Sequence, residues 1–159
     1  MEMSDQSGKI KELTILLADD DLDDCLFFAE ALEELKMGAK VATVNNGEQL
    51  MQLLQSDYSL LPDILFLDLN MPRKNGVSCL EEIKQDDKLS KLPVIILSTS
   101  VDRNIADQLY RNGAQHYICK PADFSQLKKV IQQAISLTCF HKLNQVVQPP
   151  KEHFFLRAI

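Results

Sequence analysis

Five short apolar runs, at residues 13–18, 40–44, 63–67, 93–98 and 115–119, alternate along this chain with stretches of helical periodicity. In 22–36, Leu22, Leu26, Ala29, Leu32 and Leu35 recur at three- and four-residue steps, the spacing that places them on one face of a helix. The same spacing predicts helices over 77–86, 103–112 and 124–138, and a shorter one over 47–56. Strands separated by helices cannot pair through tight hairpins. They imply crossover connections, hence a parallel sheet covered on both faces. The first, third and fourth runs are nearly continuous in apolar residues, as central strands must be. The second and fifth are mixed, as expected of edges. The fold class is therefore α/β, a doubly wound five-stranded parallel sheet of order 2-1-3-4-5. Local signals agree: Asp102 and Asp123 are placed to cap helices, Gly38 and Gly113 to end them in the left-handed conformation, and Pro62 and Pro93 stand just before strands.

Such sheets bind ligands beyond the carboxyl ends of their strands, at the point where strand order reverses, here between the first and third strands. The first run ends in Asp19-Asp20-Asp21 and the third in Asp68. Like charges about 4 Å apart repel by ~4 kcal/mol at an effective dielectric of ~20. A pocket made from these carboxylates calls for a cation or a raised pKa.

Composition narrows the function. The chain has 159 residues, 45% of them hydrophobic, enough for one domain with modest extensions. Three segments are expected: a polar N-terminal stretch over 1–10, a domain over 11–138 and a tail over 139–159. A net charge of −6 argues against nonspecific binding to nucleic acid or to anionic membranes. No apolar run approaches the ~20 residues that span a bilayer, and no signal peptide is visible, so a cytoplasmic protein is expected. Cys25, Cys79, Cys119 and Cys139 are scattered, as reduced thiols would be. His116, His141 and His153 do not supply zinc-type clustering. The tail carries Lys142, Lys151, Arg157 and Glu152 together with an apolar Phe154-Phe155-Leu156 and Ile159. It is too short for an independent domain. It either docks on this chain or a partner or remains disordered, and both readings stay open.

Taken in order, Asp19-Asp20, Asp68, Asn70-Met71-Pro72, Asn75-Gly76, Ser98 and Lys120-Pro121 fall on successive strand ends. Residues 13–138 thereby resemble the receiver domain of two-component response regulators. The run from Asp68 to Gly76 is most similar to single-domain regulators that serve phytochrome-type kinases. The resemblance implies that Asp68 accepts a phosphoryl group from a sensor histidine kinase or phosphotransfer protein, in a phosphorelay with no turnover of a free substrate. It implies Mg²⁺, with Mn²⁺ as an alternative, held by Asp20, Asp68 and the Asn70 backbone carbonyl, with Asp19 acting through water. Lys120 and Ser98 would contact the phosphoryl oxygens. Ser98 and Tyr117 would form a switch, Ser98 moving inward and the aromatic ring following. The Lys120-Pro121 bond is expected to be cis. The signal would leave through a downstream protein target, by the surface of the fifth strand and its flanking helices, with a homodimer as a further possibility. Thr99 stands where many receivers have a smaller residue. Asn70 and Ser100 flank the expected path of a hydrolytic water.

Other functions fit less well. An aspartyl phosphatase of the haloacid-dehalogenase type would carry Asp-x-Asp after its first strand, whereas here Asp68-Leu69-Asn70 follows the third. A flavin carrier would need a phosphate-binding loop after the first strand, where three aspartates would repel the ligand. A receiver-shaped adaptor that takes no phosphate would be expected to lack one of the acids or the lysine, and this chain keeps them all.

Overall fold

The computed structural model describes residues 3–4 and 10–158; the rest of the 1–10 segment, and Ile159, lie outside the described residues. Within that segment Met3–Ser4 pairs antiparallel with Ile10–Lys11. The main body alternates as expected: β1 (Leu13–Ala18), α1 (Leu22–Leu35), β2 (Ala39–Val44), α2 (Gly47–Ser56), β3 (Ile64–Leu67), α3 (Gly76–Gln85), β4 (Val94–Ser98), α4 (Arg103–Arg111), β5 (His116–Cys119) and α5 (Phe124–Leu143). A further strand, β6 (Phe155–Leu156), follows. The sheet order is β2-β1-β3-β4-β5-β6, parallel throughout.

Successive strand residues point to opposite faces, and here both faces are covered. Leu16, Ala18, Leu65, Leu67, Val94 and Ile96 pack toward α2, α3 and α4. Ile15, Leu17, Ile64, Phe66, Ile95 and Leu97 pack toward α1 and α5, where the Phe28 and Phe66 rings meet edge to face at 4.9 Å. This two-sided burial is why the central strands read as unbroken apolar runs. Asp21, Asp102 and Asp123 cap α1, α4 and α5 by accepting first-turn backbone N–H groups. Gly38 and Gly113 adopt φ of 68° and 99°.

Expectations change in α1, β5 and the bond after Lys120. In α1, Leu22 and Leu26 of the expected stripe are exposed, and Cys25, Phe28, Ala31 and Leu32 form the buried face. The fifth strand is not an edge, because residues 147–156 cross it and add β6. Its mixed polarity serves this contact. A ring nitrogen of His116 lies 3.1 Å from the His153 carbonyl oxygen. Burial, the main cause, pushes the His116 pKa down to about 4, so the neutral ring carries its proton toward that carbonyl. The Lys120-Pro121 bond is trans, as is every described peptide bond. Trans is the intrinsically favoured isomer by ~0.5–1 kcal/mol. The Lys120 N–H donates to the Ser98 carbonyl at 2.7 Å, continuing the β4–β5 ladder.

Gly76 holds the loop after β3 tight. Its N–H donates to the Leu69 carbonyl at 2.9 Å. A Cβ at Gly76 would lie 2.4 Å from the Asp68 carbonyl oxygen. Gly76→Ala is expected to lower stability by about 2–3 kcal/mol through overpacking against backbone, read as a shifted urea midpoint at unchanged slope.

Candidate functional site: an acidic pocket with one lysine

The carboxyl ends of β1 and β3 are neighbours, and the Asp68 N–H donates to the Ala18 carbonyl at 2.9 Å. This pairing sets Asp19 beside Asp68. Carboxylate oxygens of Asp19, Asp20 and Asp68 lie within 4.8 Å of one another. Asp19 and Asp68 are buried, at 1% and 5% exposure, while Asp20 is exposed. The backbone helps hold the acids: Asp19 Oδ1 accepts the Asp21 N–H at 2.9 Å, and Asp68 Oδ1 accepts the Asn70 N–H at 3.3 Å.

Lys120 enters from the end of β5. Its Nζ donates to Asp19 Oδ2 at 2.7 Å and to Asp24 Oδ2 at 2.8 Å, and stands 3.7 Å from Asp68 Oδ2. The lysine thus bonds fully to two acids and lies close to the third. Burial opposes its charge, but the bonds to Asp19 and Asp24 outweigh burial and hold its pKa above the ordinary lysine value. Asp68 is pushed the other way. Burial, first, and the Asp19 charge raise its carboxyl from 3.8 to about 6 against the opposing pull of Lys120. Cys25 beneath the pocket is raised to about 11 by burial and then by Asp19, so its thiol stays protonated and inert.

Ser98 ends β4, is 1% exposed, and its Oγ accepts the Ser100 N–H at 3.4 Å. Thr99 between them is exposed. Tyr117 on β5 is 1% exposed, and its hydroxyl donates to the Ser100 carbonyl at 2.5 Å. The structure therefore brings Asp19, Asp20, Asp68 and Lys120 into one cluster, with Ser98 at the next strand end and Tyr117 bonded to the Ser98–Ser100 segment. Asn70 is exposed beside Asp68. Asp24, which the sequence does not single out, joins the site as the second acid bonded to Lys120. No local signal marks it: Asp24 lies in the first turn of α1, and its role is set by Lys120 arriving from the end of β5.

The donor set fits a hard divalent cation. Three clustered carboxylates supply oxygen ligands of the kind Mg²⁺ and Mn²⁺ take, and of the three Lys120 hydrogen-bonds Asp19. The raised pKa of Asp68 marks negative charge that a cation would relieve.

A doubly wound parallel sheet with this pocket at its switch point defines a phosphorelay receiver. Residues 15–132 match the response regulator receiver domain family, and the chain belongs to it. It is 31% identical to the response regulator Rcp1 of Synechocystis sp. over 134 residues, 82% of this chain and 90% of that protein. Among solved structures it is similar to the phosphorylated cyanobacterial phytochrome response regulator RcpA, with a TM-score of 0.74, 32% identity, and coverage of 81% of this chain and 95% of that one. The Mn²⁺-bound form of Rcp1 matches with a TM-score of 0.72 and 29% identity, over 87% of this chain and 99% of that one. No helix among the described residues is long and apolar enough to cross a membrane.

Proposed function

We propose that Asp68 is the phosphoacceptor of a cytoplasmic phosphorelay and takes its phosphoryl group from a phosphohistidine on a histidine kinase or phosphotransfer protein. The observation that carries this reading is the placement of Asp68: a buried carboxylate, 3.7 Å from an ammonium and clustered with two further acids. An Asp68 oxygen attacks phosphorus, forming the O–P bond of an acyl phosphate. The N–P bond breaks, and the histidine nitrogen leaves with the electron pair and takes a proton. The nucleophile must be ionised; without a cation, burial and the Asp19 charge hold the Asp68 pKa up at about 6, and Mg²⁺ beside it would lower that value, so uptake is expected to fall when Mg²⁺ is removed. Such transfers depend on alignment and charge neutralisation more than on covalent help. Lys120 sits where its ammonium can pair with a phosphoryl oxygen on Asp68, and Ser98 can donate its hydroxyl to another. Asp20, Asp68 and the Asn70 carbonyl would hold Mg²⁺, with Asp19 acting through water; the cation supplies charge neutralisation to the phosphoryl oxygens.

The donor would approach over α1. Leu22, Leu26 and Phe27 are exposed there, at 73%, 56% and 53%. Beside them a cavity of about 190 Å³ is lined by Phe27, Phe28, Pro121 and Phe124, with Lys120 and Asp24 among its walls. An apolar surface that opens onto the reactive pocket suits a docking protein better than a small free substrate. The signal would pass to a downstream protein target, with no turnover of a free substrate.

Incubation with acetyl phosphate and Mg²⁺ is expected to add one phosphoryl group to the intact mass of the wild type and none to Asp68→Asn. A folded wild-type chain that gains no mass would overturn the reading. In Asp20→Asn, Mg²⁺ affinity by titration calorimetry is expected to fall roughly tenfold, about 1.4 kcal/mol, with the fold unchanged because Asp20 is exposed.

A further inference from the structure

The tail contacts the residues that connect β5 to the pocket. From the end of α5 the chain returns along α4, where the Tyr110 hydroxyl donates to the Pro149 carbonyl at 2.9 Å and Lys151 pairs with Asp107 at 2.9 Å. It then lies against β5 in parallel register, Tyr117 opposite Phe155 and Ile118 opposite Leu156. The Tyr117 N–H donates to the Phe154 carbonyl at 2.9 Å. Two tail rings enclose the Tyr117 ring: Phe155 at 5.3 Å and Phe154 at 6.2 Å between centroids. Phe154 is buried at 1% exposure and belongs to the core that faces α4.

Tyr117 in turn bonds the Ser100 carbonyl, and the Ser100 N–H bonds Ser98 Oγ. A continuous set of contacts therefore runs from the tail rings through Tyr117 and Ser100 to the hydroxyl beside the pocket. Two arrangements of the tail, closed on β5 or released, would present Ser98 differently. Any preference of the pocket for one of them must be returned as a preference of the tail.

We propose that residues 147–156 are a tethered strap that positions the switch: closed, it holds Tyr117 buried and Ser98 set to receive a phosphoryl group, and occupancy of Asp68 in turn tightens the strap. Phe155 and Phe154 are positioning residues, acting through Tyr117 without touching the phosphoryl group. The inference rests on Asp68 being the phosphoacceptor.

The test uses the full chain with Mg²⁺ and beryllofluoride, a non-hydrolysing phosphoryl mimic that binds at equilibrium. Phe155→Ala, which removes a half-buried ring, is expected to weaken beryllofluoride affinity about fivefold. Saturating beryllofluoride is expected to slow hydrogen exchange of the wild-type Tyr117 amide by a similar factor. Lys151→Ala, a surface change that loosens the strap without touching the core, should shift affinity the same way by less. In a Tyr117→Phe background, which lacks the hydroxyl on Ser100, the effect of Phe155→Ala should vanish. Wild type that does not bind the mimic overturns the phosphoacceptor reading, and the strap with it. Equal binding by wild type, Phe155→Ala and Lys151→Ala overturns the strap alone. A Phe155→Ala effect that survives in the Tyr117→Phe background also overturns it, because the coupling would then bypass Tyr117.

Discussion

Asp68→Asn is expected to stabilise the cation-free protein by about 2 kcal/mol at pH 8 and to leave it nearly unchanged at pH 4, while abolishing phosphoryl uptake. The native carboxyl titrates at about 6 and the unfolded one near 3.8. Between those values the native state binds more protons than the unfolded state, so stability falls as pH rises through the window. Above pH 6 the native state bears the full cost of a buried anion beside another anion, at most about 3 kcal/mol for a displacement of that size. The asparagine carries no charge and no such cost. Urea melts from pH 4 to 8 should show the variant gaining on wild type as pH rises; His116, whose lowered pKa makes stability rise with pH over much of the same window, contributes equally to both and drops out of the difference. Saturating Mg²⁺ should reverse the ranking, because a ligand bound only to the native state adds stability in proportion to the logarithm of its concentration over Kd. A variant no more stable than wild type at pH 8 without divalent cations would show that the pocket's acids do not strain one another.

Lys120→Ala is expected to retain the fold but to lose about 3 kcal/mol at pH 7.5 without divalent cations, the usual cost of removing one partner from a buried ion pair. Asp19, at 1% exposure, would lose the Lys120 ammonium and keep the Asp21 N–H as a donor to its carboxylate. The lysine's own pKa is raised, so its contribution is fully present below the ordinary value of 10.5 and is lost only as pH climbs through the higher folded value. The difference in pH dependence between variant and wild type near neutrality must then come from the acids around the lost ammonium. Acidification to pH 5 should restore part of the loss as carboxyl groups protonate, and Mg²⁺ should restore more by replacing one cation with another. Equal losses with and without Mg²⁺ would show that the cation does not share the lysine's site.

Much of this structure was legible because its signals are local. Central strands buried on two faces announce themselves as apolar runs, and Asp102 and Asp123 declare two helix starts by their hydrogen-bonding chemistry. The pocket was legible because topology brings strand ends together, so acids far apart in the chain could be placed side by side from strand order. Other features depend on distant partners. Phe155–Leu156 forms a strand of two residues, too short for any periodicity, and it exists only because β5 offers unpaired backbone groups. His116 and Tyr117 read as edge residues until the tail covers them. The role of Asp24 depends on where Lys120 arrives, and that depends on the path of the chain after β5. The end of α5 also extends to Leu143, past the last residue of the expected apolar stripe, and leaves Phe140 and Leu143 exposed.

Closure of β6 over β5 also bears on how copies of this chain behave when crowded. An uncovered strand is a template for recruiting another chain into a growing fibril. With one flank of the main sheet occupied by the chain's own tail, β2 provides the opposite flank, and it carries the exposed Lys40, a charged side chain that discourages stacking. Loss of the tail would uncover a second flank bearing aromatic and apolar groups, and seeded aggregation would be expected to start there.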